Sequence, residues 1–402
     1  MTTAGAPTLD INFADPDVLQ DPYPVFNRIR EAGPAVYNPS ADIWMVASYE
    51  HVREVLLNDQ TFVPEADKWE TLYGAAVVES MEDPRHKEVR AIYAPAFRAA
   101  QLRDLRSTVT ALITPRLDSL AERLRAGEIV DVVPEITRAV AGRVLAHIIG
   151  VGEEDVPRFL AWAKDMGATL ESYDEPDPER ATHLRKTGTE ATALTCAFAG
   201  QQLEARRDDE MANDLIARLV RSPVAETMTE AEQRAGIAQI IVAGHDNITH
   251  TLGHVFVTLA LFPDERELVM ADRSLIPAAV EEILRWRTSA SGDTRLVRGE
   301  ASIADVELRD GNRVMVLLAA ANHDPSRWEN PDRFDISRPP QQHLTFGAGT
   351  HTCLGAGLAR LEAQVMMEEI LDRLPSYRLA DDGIEYGPPL FMRGPKAVRI
   401  TI

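Results

Sequence analysis

The longest uninterrupted helical pattern in the chain runs from Thr229 to Pro263, and it limits the possible folds more than any other feature. Thr229 and Glu232 make a capping box at its start, and Pro263 stops it. At roughly 1.5 Å per residue, a helix of about 33 residues would reach about 50 Å, the width of a whole domain. Such a helix must cross the middle of the fold, and the rest of the chain has to pack around it. Its centre reads Ile240-Ile-Val-Ala-Gly-His-Asp-Asn-Ile-Thr249, where apolar residues flank an acid, an amide and a glycine. A carboxylate in those surroundings is costly unless it has a partner, so Asp246 is a candidate functional residue.

Most windows from His86 to about Gly236 are also helical in pattern, broken by proline, glycine and acid-rich stretches. Upstream, a short helical pattern ends near Gly33. Ala35-Val-Tyr and Ile43-Trp-Met-Val-Ala then read as a hairpin, and a helix is expected from Tyr49 to Asn58. Residues 61–82 show no sustained period and read as a loop. Short β-like stretches recur near Thr294–Arg298, Ala301–Leu308, Arg313–Leu318 and Ala397–Ile402. With no repeat and no break in composition, the expectation is one mainly α domain, residues 1–402, with small β-sheets.

The net charge of −21 argues against nucleic acid and against an anionic membrane surface, both of which select basic faces. The first ten residues lack the basic start and apolar core of a signal peptide, and no apolar stretch reaches the roughly 18 residues of a membrane span. Cys196 and Cys353 are the only cysteines and make no disulfide framework. A cytoplasmic monomer is expected.

Cys353 lies in Phe346-Gly-Ala-Gly-Thr-His-Thr-Cys-Leu-Gly355. Leu358, Leu361, Val365, Met366 and Ile370 follow at helical spacing, so the thiol sits just ahead of a helix whose positive end favours a thiolate. Gly347 and Gly349 allow positive φ, and with it a tight loop passing close beneath a flat ligand. A buried structural cysteine is the plain alternative. A zinc site using His351 and Cys353 lacks the about four clustered ligands that structural zinc needs.

The run resembles the haem-binding signature of the cytochrome P450 superfamily, Phe-x-x-Gly-x-x-x-Cys-x-Gly, with Phe346, Gly349, Cys353 and Gly355 in its fixed positions. The resemblance extends over nearly the whole chain and is to the soluble bacterial type. It implies a P450 fold, haem b with Cys353 as proximal thiolate ligand, and dioxygen as co-substrate. Ala243-Gly-His-Asp-Asn247 resembles the family's oxygen-activation motif. Gly244 would leave a groove for dioxygen and Asp246 would feed protons, while Asn247 departs from the customary threonine. An amide can hydrogen-bond but cannot relay a proton as a hydroxyl does. His86 and Arg90 match a His-x-x-x-Arg propionate motif, and Arg295 and His351 match two further propionate positions. Glu282 and Arg285 resemble a structural pair completed by an arginine of the meander at 321–334, expected to be Arg333.

The same resemblance places Leu72, Val77, Val78, Ile240, Ala243, Ala290 and Phe391 around a substrate pocket. The implied reaction is hydroxylation or O-demethylation of a small to medium hydrophobic molecule, such as a terpenoid or an aromatic compound. Electrons would come from NAD(P)H through a ferredoxin or flavodoxin, docked on the basic cluster Arg85, Lys87, Arg98, Arg103 and Arg106. Oxidative coupling or ring formation in natural-product biosynthesis is the second reading. A haem-based sensor without turnover is the third, and Asp246 and Gly244 speak against it.

Overall fold

The computed structural model describes residues 6–175, 177–388 and 390–402. The first five residues, on which the absence of a signal peptide was partly read, lie outside the described residues.

The architecture is mainly α, with helices packed around small sheets. The long pattern from Thr229 is capped as expected. The Thr229 side chain accepts from the Glu232 backbone N–H, and the Glu232 carboxylate accepts from the Thr229 N–H. It does not continue to Pro263 as one helix. It forms Glu230–Ala243 and Asp246–Leu261, separated at Gly244 and His245. The longest helix is instead Pro178–Arg207, with 30 residues.

The break follows a change of core. Ile237 and Ile241 pack with Tyr73, Phe159 and Phe198, whereas Leu252, Val255 and Phe256 pack with Leu358, Val365 and Met366. Each half follows a different apolar cluster, so one straight stripe cannot serve both. The helix Ala99–Arg125 lays Val109, Ile113 and Leu117 into the second cluster, against the helix Ala356–Arg373. The residues at helical spacing after Cys353 thus form that helix and bury the expected face.

A five-stranded sheet has the order Val36–Asn38, Ile43–Val46, Arg313–Val316, Asp293–Val297, Phe62–Pro64. The first two strands are the expected hairpin, with Val36 opposite Met45. Residues 61–82 are not a plain loop. Phe62–Pro64 is an edge strand opposite Val297 to Arg295, and Ala66–Tyr73 is a helix closed by Gly74 at φ +84°. The C-terminal strand Pro395–Thr401 pairs with Val130–Asp131 and with Arg378–Tyr386, which the sequence pattern did not indicate. Among the described residues, no helix is long and apolar enough to cross a membrane.

Glu282 and Arg285 are almost wholly buried and form a two-point ion pair, with Nε to Oε2 at 2.7 Å and Nη2 to Oε1 at 2.8 Å. The third member is Arg338, not Arg333. Arg338 Nε donates to Glu282 Oε1 at 3.2 Å, while the exposed Arg333 contributes only its carbonyl, to Arg285 and Arg338. Arg285 also donates to the carbonyls of Asn322 and Pro331, both at 2.8 Å, so it fastens the meander to the helix Ile276–Trp286.

Candidate functional site

The Cys353 loop is shaped by its glycines. Gly347 and Gly349 have φ of +69° and +73°, where a side chain is strained, and a Cβ on Gly349 would stand 2.7 Å from the Leu56 carbonyl. The loop closes when the Cys353 N–H donates to the Phe346 carbonyl at 2.9 Å, and Gly355 caps the following helix. The Arg360 guanidinium lies over the Phe346 ring at 4.5 Å. These contacts hold Cys353 at a helix start with its side chain exposed. The surrounding protein is nonetheless dense enough that burial pushes the thiol up, opposed by the Gly355 backbone and by Arg90 and Arg360. The sulfur is thus accessible yet closely surrounded. Burial thus opposes the thiolate that the helix start favours, and coordination to a metal would deprotonate the sulfur outright.

Four basic residues are gathered on one side of this loop. His86, on the helix Arg85–Tyr93, is buried, and its ring centre lies 4.4 Å from that of His351. Burial, then His86 and Arg295, push His351 down to about 4. Arg90 Nη2 donates to the Thr352 carbonyl at 2.6 Å, so this arginine braces the residue before Cys353. Arg295, in the strand Asp293–Val297, is bound by Asp293 at 2.5 Å. The Nε2 of His86 is buried with no hydrogen-bond partner. His86 Nδ1 faces the Asp83 carboxylate at 3.3 Å, so Nε2 becomes a donor only when the ring is protonated; with two arginines and a second histidine beside it, an anionic group such as a carboxylate arm of a flat macrocycle would suit the cluster.

Across the chain, Asp246 is the first residue of the helix Asp246–Leu261, where the helix dipole favours an anion. Burial pushes its carboxyl up, but His245, His250 and Lys396 outweigh that and hold it down at about 2. His245 Nδ1 is 3.0 Å from Asp246 Oδ1, without the alignment of a hydrogen bond. Asn247 Oδ1 is buried and unpartnered, and the Asn247 carbonyl accepts from Thr251 Oγ1 at 2.9 Å. Gly244 leaves no open groove on its bare face. A Cβ there would meet the Ile240 carbonyl at 2.8 Å and Leu145 Cδ1 at 2.9 Å, so the glycine admits the neighbouring helix Arg138–Ile149.

Of the expected pocket residues, Leu72 and Val77 are sealed inside a core cluster and have no surface to offer a ligand. Val78, Ile240, Ala243, Ala290 and Phe391 keep partly accessible surface. Ala290 forms a β-bridge with Met392, which brings the turn after Arg285 to the segment carrying Phe391. Sequence reasoning missed Glu79, whose carboxyl burial raises to about 7 and whose Oε2 has no partner. It also missed His245, His250 and His254, although Asp246, His250 and His254 stand four residues apart in the sequence.

The family profile described as Cytochrome P450 matches residues 33–376. The biotin biosynthesis cytochrome P450 of Bacillus subtilis (strain 168) is 28% identical over 98% of this chain and 99% of its own length. Cytochrome P450 monooxygenase PikC of Streptomyces venezuelae is 30% identical over 99% of this chain and 95% of its own. The crystal structure of CYP109E1 from Bacillus megaterium in complex with testosterone superposes with a TM-score of 0.86 at 25% identity, covering 96% of this chain and 98% of that one.

Proposed function

The chain belongs to the cytochrome P450 family, an oxidoreductase family whose cofactor is haem held by a cysteine thiolate, and from that premise we propose how its own residues divide the work. Cys353 is the axial ligand. The observation that carries this is the Cys353 loop, where two positive-φ glycines and a self-closing hydrogen bond present an accessible sulfur. Bound there, haem would supply dioxygen binding and O–O bond cleavage, favoured by thiolate donation. His86 and His351 receive the propionates together with Arg90 and Arg295, each arginine keeping one hydrogen bond that fixes its place. Asp246 holds its charge at the distal helix break and passes protons inward, with Asn247 Oδ1 ordering a water or a polar substrate atom. Asn247→Ala should lower the fraction of reductant recovered in product, and an unchanged fraction would remove Asn247 from this role.

The substrate is a hydrophobic molecule of terpenoid or steroid size, hydroxylated at an unactivated C–H bond. Val78, Ile240, Ala243, Ala290 and Phe391 supply the apolar wall, and Glu79 gives it one polar point. The testosterone carried by the Bacillus megaterium relative supports this size class. Testosterone, limonene and naphthalene, titrated into the holoenzyme, test it through the shift of the haem absorption as distal water is displaced. The reading expects a saturable shift with the first two, and none with any of the three would sink it.

Electrons come from NAD(P)H through a ferredoxin or flavodoxin. Arg85 and Arg106 are paired with Glu88 and Glu368, but Lys87, Arg98 and Arg103 are exposed and have no ion pair among the described residues. A cationic patch on so acidic a chain suits an acidic carrier steered by charge. Turnover should fall steeply with salt, and a flat salt response would argue against docking there.

A further inference from the structure

Asp246, His250 and His254 occupy positions i, i+4 and i+8 of one helix and therefore share a face. His245 stands directly before them. The three histidines are 1%, 5% and 0% exposed. Both ring nitrogens of His245, Nδ1 of His250 and both ring nitrogens of His254 are buried without a hydrogen-bond partner among the described residues. The Arg287 main chain approaches His254 without reaching hydrogen-bond geometry. Thr249 Oγ1 and Thr258 Oγ1 on the same helix are equally unpartnered. Each such group left dry costs about 1–3 kcal/mol, and folded proteins commonly satisfy a cluster of them with ordered water. A metal does not explain the row, because the described residues hold no cluster of His, Cys, Asp or Glu that could bind one.

The row has two ends. One is Asp246, at the distal helix break. At the other, the His254 ring centre lies 6.2 Å from that of Tyr386, which is partly exposed and carries the Arg393 guanidinium 4.0 Å over its ring. Between them the strand Pro395–Thr401 and the turn before it close over the helix. A Cβ on Gly394 would fall 2.0 Å from His250 Cγ, and one on Gly253 would fall 2.7 Å from Pro395 Cγ. Burial, together with Lys396, pushes His250 down to about 3, and burial with Arg393 and Arg287 pushes His254 well below its ordinary value. The rings therefore stay neutral, each with one nitrogen that accepts and one that donates.

We propose that His245, His250 and His254, joined by waters on their ring nitrogens, form the route by which protons travel from the surface at Tyr386 to Asp246. The proposal rests on the monooxygenase reading, since insertion of one oxygen atom into a C–H bond consumes dioxygen, two electrons and two protons and releases water. In each relay step a ring nitrogen takes a proton from one water, and the opposite nitrogen gives its proton to the next. The ring ends neutral in the other tautomer, and a flip of the ring turns its bare nitrogen back toward the incoming water without moving a proton backward. The protons come from bulk water, and no electron moves in these steps. The three histidines act only through Asp246.

A crystal structure of the holoenzyme and the variants His254→Phe and His254→Gln test the route. Ordered waters are expected on His250 Nδ1 and on both nitrogens of His254. With reductant and a ferredoxin in excess, His254→Phe should slow dioxygen consumption about tenfold and enlarge its solvent deuterium isotope effect, with His254→Gln between it and the parent. Peroxide-driven oxidation of guaiacol, in which the oxidant brings its own protons, should be unchanged in both variants. Dry ring nitrogens would overturn the proposal even if no variant folds. So would an unchanged isotope effect, or an equal loss of the peroxide-driven reaction. Failure of the monooxygenase reading is separate: the parent enzyme would lack the thiolate signature in its reduced carbon monoxide spectrum.

Discussion

Replacing Arg338 by Ala removes one of two guanidinium groups from a nearly buried carboxylate, and the structure separates this change from its neighbours. Glu282 would keep both bonds from Arg285, so the loss is one charge-assisted hydrogen bond, worth about 1.5–3 kcal/mol, plus the tethers Arg338 makes to the Glu329 and Asn330 carbonyls. Arg285→Ala is harsher, because Glu282 loses its two-point partner, the Asn322 and Pro331 carbonyls lose their donor and the Arg333 carbonyl loses one of two; breaking a buried pair this way costs about 3–5 kcal/mol. Arg333→Ala should stay within about 0.5 kcal/mol, since only its main chain is used. Unfolding entropy of about 2.1 cal/mol/K per residue over 402 residues makes 1 kcal/mol worth about 1.2 °C. Calorimetry of the holoenzymes should therefore find the melting temperature lowered by about 2–4 °C for Arg338→Ala, about 4–6 °C for Arg285→Ala and under about 1 °C for Arg333→Ala. Equal losses for Arg333→Ala and Arg338→Ala would refute the assignment of the third member.

Gly349→Ala forces a side chain to φ +73° and against the Leu56 carbonyl, so it should destabilise by at least about 1–2 kcal/mol and lower haem content per chain, read from the Soret absorbance; full loading would show that the loop can relax. His250 binds its proton at 6.5 when unfolded and at about 3 when folded, so the unfolded chain holds more protons in that window. Stability then rises with pH across it and is lost on acidification below about 6.5. Urea midpoints at about pH 7 and about pH 5 should differ less for His250→Gln than for the parent, and an identical difference would contradict the buried neutral ring.

What the sequence disclosed was local chemistry with local geometry. The Cys353 loop was legible because its glycines, its thiol and the helix after it lie within one short stretch. The Thr229 cap and the Val36 to Val46 hairpin were legible for the same reason. Features depending on distant partners were not. Phe62–Pro64 is a strand only because residues 295–297 lie beside it. Arg338 completes the ion triad because the chain past Phe334 turns back over Glu282, whose carboxylate also accepts from the Asp335 N–H at 3.1 Å. The break at Gly244 and His245 arises from a change in packing partners, and a run of continuous helical periodicity carries no trace of it. Leu72 and Val77 could not be told from pocket residues by pattern, because core and cavity wall are built from the same side chains.

The carbon monoxide difference spectrum of the reduced protein bears most directly on the assignment of Cys353. The parent should show the long-wavelength Soret band of thiolate-ligated haem, and Cys353→Ser should lose that band while the melt of the remaining fold shifts little. A band typical of histidine ligation in the parent, or a thiolate band that survives in Cys353→Ser, would contradict it.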